Sequence, residues 1–475
     1  MSVGIQEQAT TYSVYTNKSK APLTGVEKRS LWSLVFAYAC LVSNTTLVVG
    51  SSAVVVMSVG GANSTAPIAL AMFFLGSAFV SLITAPLFNR KGRKYGFMFG
   101  IGLGLFGALL AGIGVAAASP ALVIIGSIPL GAANGIGMYL RFAAVEVVPP
   151  HMQTYAVTLV LSGGCIAAFT GPESSQLTAG AFGDDEQEYL GVYVMVAVFN
   201  VLNAIFVGCV TFPLVPIQDD STPVNHLQRD EQDDDDEEEE MAIRTNPNLT
   251  LEDLLKRRQF WVPALIAAFS WGIMAMPMSI VRVALQELDF STRASLLTIE
   301  FHFLGMFSPG FITGKLINRF GAITVSGMSV GLFVFATVLS FISSEASLAP
   351  WMLALIIYGV GWNFGFSSAT VLLADAYADA PAYKPHLEAA NDFVMFMLSG
   401  TFIFTTGYIY EGGGGGHDGW ITVNSVIFAL VGLMALLVMW VISQQLDEEI
   451  LKTDKRIAAA ENGHDGEDHF EDEHV

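Results

Sequence analysis

The chain has 475 residues, of which 53% are apolar and 14% charged, with a mean hydropathy of +0.54. Soluble domains carry about a quarter charged residues, so this composition excludes an ordinary water-exposed globular protein. The net charge of −21 sits largely in two blocks, with ten acids between Asp230 and Glu240 and seven between Glu461 and Val475. Such blocks repel themselves and bury no apolar surface. They are expected to be solvated, and they argue against binding to nucleic acid.

The first 30 residues are polar, with Lys18, Lys20, Lys28 and Arg29 ahead of the first apolar run, which predicts a cytosolic N-terminal segment without a cleavable signal. Twelve apolar stretches follow, each near the roughly 20 residues that cross about 30 Å of hydrocarbon. They lie near 34–58, 66–87, 96–117, 121–145, 155–178, 190–214, 260–283, 293–316, 323–343, 350–373, 388–410 and 420–443. With the N-terminus inside, 19 of the 22 Lys and Arg residues fall on the cytosolic side; Arg282 and Arg293 fall outside and Arg141 within a span. This bias predicts both termini in the cytosol, and the long acidic linker and tail point to a plasma or vacuolar membrane. The loop from Gly180 to Tyr189 is acidic and falls outside, as does the sequon Asn63-Ser64-Thr65. Cys40, Cys165 and Cys209 lie in apolar spans without CxxC spacing, so neither a disulfide nor a metal site is expected.

The chain repeats itself. Asn89-Arg90-Lys91-Gly92 recurs 229 residues later as Asn318-Arg319-Phe320-Gly321, and the same offset relates Trp32 to Trp261, Asn134 to Asn363 and Glu146 to Asp375. Two parallel six-helix halves are therefore expected, residues 31–215 and 259–443. An acidic cytosolic linker (216–258) joins them, a tail (444–475) follows, and the binding site is expected between the halves. Residues Leu251 to Arg258 in the linker read as a short amphipathic helix on the inner membrane surface.

The run Ala85-Pro86-Leu87-Phe88-Asn89-Arg90-Lys91-Gly92-Arg93-Lys94 resembles the signature loop of the major facilitator superfamily, G-x-L-a-D-R-x-G-R-K, and Gly314 to Gly321 is its second copy. The resemblance implies an all-α twelve-helix fold that works as a secondary active transporter by alternating access. It also implies a conformational latch in which Arg93 pairs with Glu146, with Asp375 as the matching acid of the second half. Asn89 and Asn318 depart from the family's usual Asp, which weakens the charge at that latch. Gly163, Gly164, Gly171 and Pro172 are similar to the family's antiport motif, with Gly171 and Pro172 as a helix bend, although Glu173 and Ser174 depart from it. Ser127 stands where proton-linked members often carry Arg. The segments around Arg141-Phe142, Phe301-His302-Phe303 and Gly361-Trp362-Asn363 are similar to a bacterial branch of the superfamily and leave the cargo open.

Ionisable residues inside a bilayer cost about 2.5–3.5 kcal/mol each on insertion scales and so point to function. Glu300 and His302 lie within the eighth span, with Asp392 in the eleventh and Arg141 in the fourth. Two residues apart on a helix, Glu300 and His302 point about 200° from each other. One is expected to face the cavity and the other a neighbouring helix, and both are candidate proton carriers. Asn44, Asn134 and Asn363 are expected to line the cavity, where Trp271 and Trp362 can stack on a planar cargo. The alternating Met274, Met276 and Met278 read as packing, and His464, His469 and His474 as part of a solvated tail. No HExxH or nucleotide-binding loop is present, so an enzyme or ATP-driven pump is not expected. The expected partners of a monomeric chain are a small-molecule cargo, the lipid bilayer and protons, with no cofactor. A non-transporting membrane sensor on the same scaffold is the alternative.

Overall fold

In hydrocarbon each backbone polar group must be satisfied within the protein, which makes continuous helices the default element. The computed structural model describes residues 23–149, 152–178, 181–182, 189–212 and 249–464. The acidic run of the linker, the acidic loop after Thr178, and His469 and His474 lie outside these residues. In chain order the first half comprises α1 (Gly25–Ser58), α2 (Ile68–Lys91), α3 (Arg93–Ala116), α4 (Pro120–Gly137), α5 (Leu140–Glu146), α6 (Gln153–Thr178) and α7 (Leu190–Cys209). After the linker come α8 (Leu251–Lys256), α9 (Arg258–Glu287), α10 (Thr292–Phe307), α11 (Gly310–Phe320), α12 (Ala322–Phe341), α13 (Ala349–Leu373), α14 (Lys384–Gly412) and α15 (Gly416–His464). With α4–α5 and α10–α11 each taken as one span, up to twelve helices are long and apolar enough to cross a membrane. Both described ends of the chain and α8 share one face, called here the terminus face; the opposite one is the distal face.

Large apolar side chains such as Phe79, Ile83, Leu109, Ile205, Leu436 and Met439 point outward and form the lipid-facing belt. Between helices small residues dominate, because lipid removes the hydrophobic drive to associate. Gly131 of α4 presses on the Phe73 carbonyl of α2, and Gly171 of α6 on Thr46 and the Ser43 carbonyl of α1. Pro172 follows within an unbroken α6.

The repeat has a physical signature at Gly92 and Gly321, which hold φ near 82° and 83° between consecutive helices. Only glycine enters that region without strain, so each copy turns sharply there. Symmetry fails elsewhere. The segment Phe307-Ser308-Pro309-Gly310 breaks the eighth span into α10 and α11 at an angle of 40°, where α2 in the first half stays continuous. Pro309 has no N–H to give to the preceding turn. Asn363 of α13 repairs the damage: its Nδ2 donates to the Met306 carbonyl at 2.8 Å, and its Oδ1 lies 2.6 Å from the Thr313 hydroxyl.

The helix read at Leu251 does not lie free on the bilayer. A capping box between Thr250 and Asp253 starts α8, and hydrogen bonds from the Thr250 hydroxyl and amide hold the Asp253 carboxyl below its ordinary range. Leu254 is fully buried against Phe260, Leu373, Ala376 and Leu387, and Arg257 donates to both Asp379 oxygens at 2.9 Å. The described end of the linker, from Leu249 on, is thus anchored to the second half.

Because Asn363 satisfies a carbonyl freed by the helix break, Asn363→Ala should destabilise the protein by about 1–3 kcal/mol. Thermal unfolding in detergent measures this. Adding Pro309→Ala, which permits a continuous helix, should recover part of the loss.

Candidate functional site

A cavity of about 330 Å³ lies between the halves, within the size range of small-molecule sites. Its first-half wall includes Thr45, Phe73, Phe74, Asn134 and Arg141; the second half supplies Trp271, Phe307, Trp362, Asn363 and Phe366. It extends to Ile317, Thr370 and Val371 near the terminus face, where Thr370 and Val371 are exposed.

Its most ordered feature is aromatic. The Trp271 and Trp362 rings meet edge to face at 4.9 Å, and Trp362 stacks on Phe366 at 5.4 Å with only 9° between the planes. Phe74 of the first half meets Trp271 at 5.5 Å. Both indole N–H groups are buried without a hydrogen-bond partner among the described residues. Buried Tyr and Trp polar atoms normally find partners, so two free donors beside a cavity suit a ligand with acceptor atoms.

The paired asparagines act differently in the two halves. Asn134 accepts from the Thr45 hydroxyl at 2.9 Å and donates to Ser77 at 3.3 Å, tying α4 to α1 and α2. Asn363 holds the break described above. Asn44 lines a separate cavity of about 30 Å³ inside the first half, with Asn200 and Asn203. Arg141 borders the main cavity and a smaller one of about 20 Å³, whose wall includes Glu388, Asn391 and Asp392.

The expectation that Glu300 or His302 faces the cavity fails. Glu300 is 1% exposed and sits 3.5 Å from Arg293, whose Nη1 also binds Glu173 at 2.5 Å and Gln176 at 3.0 Å in the first half. His302 turns to α13, with Nδ1 2.6 Å from the Leu355 carbonyl. A carbonyl only accepts, so Nδ1 carries the proton. The α10 surface that meets the cavity carries Phe303, Met306 and Phe307 instead.

Glu300 belongs to a polar seal that closes the distal face. Arg282 donates to the Gly50 carbonyl across the halves at 2.6 Å. Glu287 accepts from Asn63 Nδ2 at 2.5 Å, Tyr410 at 2.6 Å and the Gly416 amide at 2.7 Å, while Glu411 accepts from the Ser64 amide at 3.1 Å. Glu287 and Glu411 escaped the sequence reading because residues at span ends look like ordinary loop acids.

At the terminus face Arg93 forks onto Glu146, with Nε 2.9 Å from one carboxylate oxygen, and its guanidinium lies over the Phe88 ring. Asn89 and Arg90 end α2 as exposed residues. The latch is not repeated at the matching positions of the second half: the position 229 residues after Arg93 is Ala322, Arg319 packs over Phe320, and Asp375 lines a cleft with Arg258.

Comparison with known proteins agrees with this architecture. The sequence profile of the Major Facilitator Superfamily matches residues 34–383. The chain is 26% identical over 413 residues to the riboflavin transporter RfnT of Brucella anthropi, covering 86% of this chain and 94% of that one. It is 25% identical over 370 residues to YddS of Bacillus subtilis, an uncharacterized transporter of the same type, covering 78% and 81%. Among solved structures, the nucleoside transporter NupG aligns with a TM-score of 0.64 at 12% identity, covering 87% of this chain and 99% of that one. The xylose transporter XylE of E. coli aligns at 0.59 and 14%, covering 88% and 98%. The chain belongs to the major facilitator superfamily and is a transporter of a small solute.

Removing the Glu287 carboxylate deprives three donors of their acceptor, so Glu287→Ala should loosen the distal seal. With the native cysteines replaced and a cysteine at Val49, labelling by a membrane-impermeant thiol reagent from the distal side should rise at least about threefold, as expected for losing roughly 1 kcal/mol of net hydrogen bonding. Unchanged labelling counts against the seal.

Proposed function

We propose that this chain is a secondary active transporter that carries a planar heteroaromatic solute of the riboflavin kind by alternating access, coupled to protons. The carrying observation is the cavity between the halves with its crossed Trp271 and Trp362 rings and two free indole donors. Stacking surfaces take a flat ring system, and the N–H groups take its carbonyl or ring-nitrogen acceptors. The similarity to a riboflavin transporter supports the same class of cargo.

The conformational cycle follows from where the halves touch. Polar contacts join them at the distal face, and the cavity reaches toward the terminus face. With the termini in the cytosol, as the basic residues indicate, this is a cytosol-facing state. Rocking the halves about the cavity breaks the Arg282, Glu287 and Arg293 contacts and closes the other side. The Arg93–Glu146 pair serves as the latch of the first half, and Gly171 with Pro172 shapes the α1–α6 contact.

Proton coupling is assigned to the seal. Arg293 is held by Glu173 and the buried Glu300. Protonating either carboxylate removes a negative charge that holds the guanidinium and so favours opening to the acidic side. His302 is a packing residue tied to α13 in this scheme.

Proteoliposomes with an imposed inward proton gradient should accumulate riboflavin, followed by its fluorescence, and Glu300→Gln should make uptake insensitive to that gradient. Trp271→Phe with Trp362→Phe keeps both rings but deletes both donors, and should weaken binding by about 1–3 kcal/mol. Retained affinity removes the indole donors from the account. No uptake by folded wild-type protein removes riboflavin as cargo.

A further inference from the structure

Among the described residues, Arg141 is the single charged side chain in the wall of the central cavity. It is half-buried, and its guanidinium lies over the rings of Phe142 at 4.7 Å and Phe366 at 5.5 Å, one from each half. Its Nε is buried without a hydrogen-bond partner among the described residues. Behind it, in the adjoining small cavity, stand Glu388 and Asp392. Neither is joined to Arg141 by a hydrogen bond or ion pair among the described residues; the Asp392 carboxylate accepts from Asn391 at 3.3 Å instead.

A guanidinium is the side chain best built to grip an anion with two parallel hydrogen bonds. Burying one is costly unless it is paired, and structural arginines in such sites are normally locked into their partners, as Arg93 is into Glu146. Arg141 is stabilised by two rings and by two carboxylates that do not engage its donors. Its position is shared between the cargo cavity and the acidic one, so an anion entering from the cavity meets the guanidinium without having to break an ion pair shown among the described residues.

We propose that Arg141 is the anion-binding group of the cargo site, and that the preferred cargo is a planar aromatic compound carrying a phosphate or carboxylate. Glu388 and Asp392 balance the guanidinium while the site is empty. The flat ring lies on one indole face of the crossed Trp271 and Trp362 pair and meets the other at its edge, and the anionic group reaches Arg141 between Phe142 and Phe366. This rests on the reading of the cavity as the site of a planar heteroaromatic solute, and it adds a charge requirement.

The test compares two probes with one ring system, riboflavin and riboflavin 5′-phosphate, by flavin and tryptophan fluorescence on the full chain in lipid nanodiscs. The wild type should bind the phosphate ester at least about tenfold more tightly. Arg141→Met should collapse the ratio of the two affinities to within about twofold of unity, while Arg141→Lys, a point charge without the fork, should keep an intermediate preference. If Arg141→Met fails to fold because Glu388 and Asp392 lose their counter-charge, the double variant Arg141→Met, Asp392→Asn should show the same collapse. Equal binding of both probes by wild type, or an unchanged ratio in the variants, overturns the role of Arg141 and leaves the planar-aromatic reading standing. Binding of neither probe overturns that reading and this inference together.

Discussion

A polar group stranded in hydrocarbon costs several kcal/mol, and most of the structure answers to that constraint. Where the eighth span breaks at Pro309, Asn363 reaches across from α13 to take the Met306 carbonyl. At the distal face, Arg282 is placed inside the protein by donating to the Gly50 carbonyl of the other half. Among the buried side-chain atoms without a hydrogen-bond partner in the described residues, the indole donors of Trp271 and Trp362 and the Nε of Arg141 belong to residues that line one cavity, while Ser52, Tyr139 and His302 hold others away from it. A site meant to be filled is where unspent donors belong.

The two halves share a chain order but not a division of labour. The first half carries the Arg93–Glu146 fork, which the second cannot form because Ala322 replaces the arginine. The second half carries the break, both tryptophans and the docked linker helix α8. A second half that supplies both tryptophans, facing a first half that supplies Asn134 and Arg141, gives one cavity two kinds of polar group. In the proposed cycle the fold supplies the hinge and those side chains choose the cargo.

Much of this is written plainly in the sequence. Hydropathy and the basic-residue bias define twelve spans because bilayer thickness fixes their length, and the offset of 229 pairs Asn134 with Asn363 and the two turn glycines. Trp271, Trp362, Asn134 and Asn363 are expected in the cavity because they lie on spans that the family resemblance places around it; Asn44, expected there too, lines the separate first-half cavity, and Arg141 is legible only as a charge within a span. The orientation of Glu300 and His302 is not legible: burial cost reveals that a charge is inside, but not which way it faces, and both turn away from the cavity. The break at Ser308-Pro309-Gly310 was visible as residues. Its consequence depended on Asn363, more than 50 positions away. The seal acids Glu287 and Glu411 gave no signal because their donors come from distant loops.

The central claim is that the halves rock about this cavity, with the distal seal and the opening at the terminus face alternating. Spin labels on Ala62 and Asp289 report the distal face, and labels on Tyr155 and Val371 report the other. Pulsed electron–electron distance measurements in nanodiscs, at neutral and acidic pH and with riboflavin present, test it directly. The account predicts that acidification lengthens the distal distance and shortens the terminus-face distance together, and that riboflavin changes the balance between the same two populations. Distances that stay fixed under every condition, or that lengthen together on both faces, contradict it.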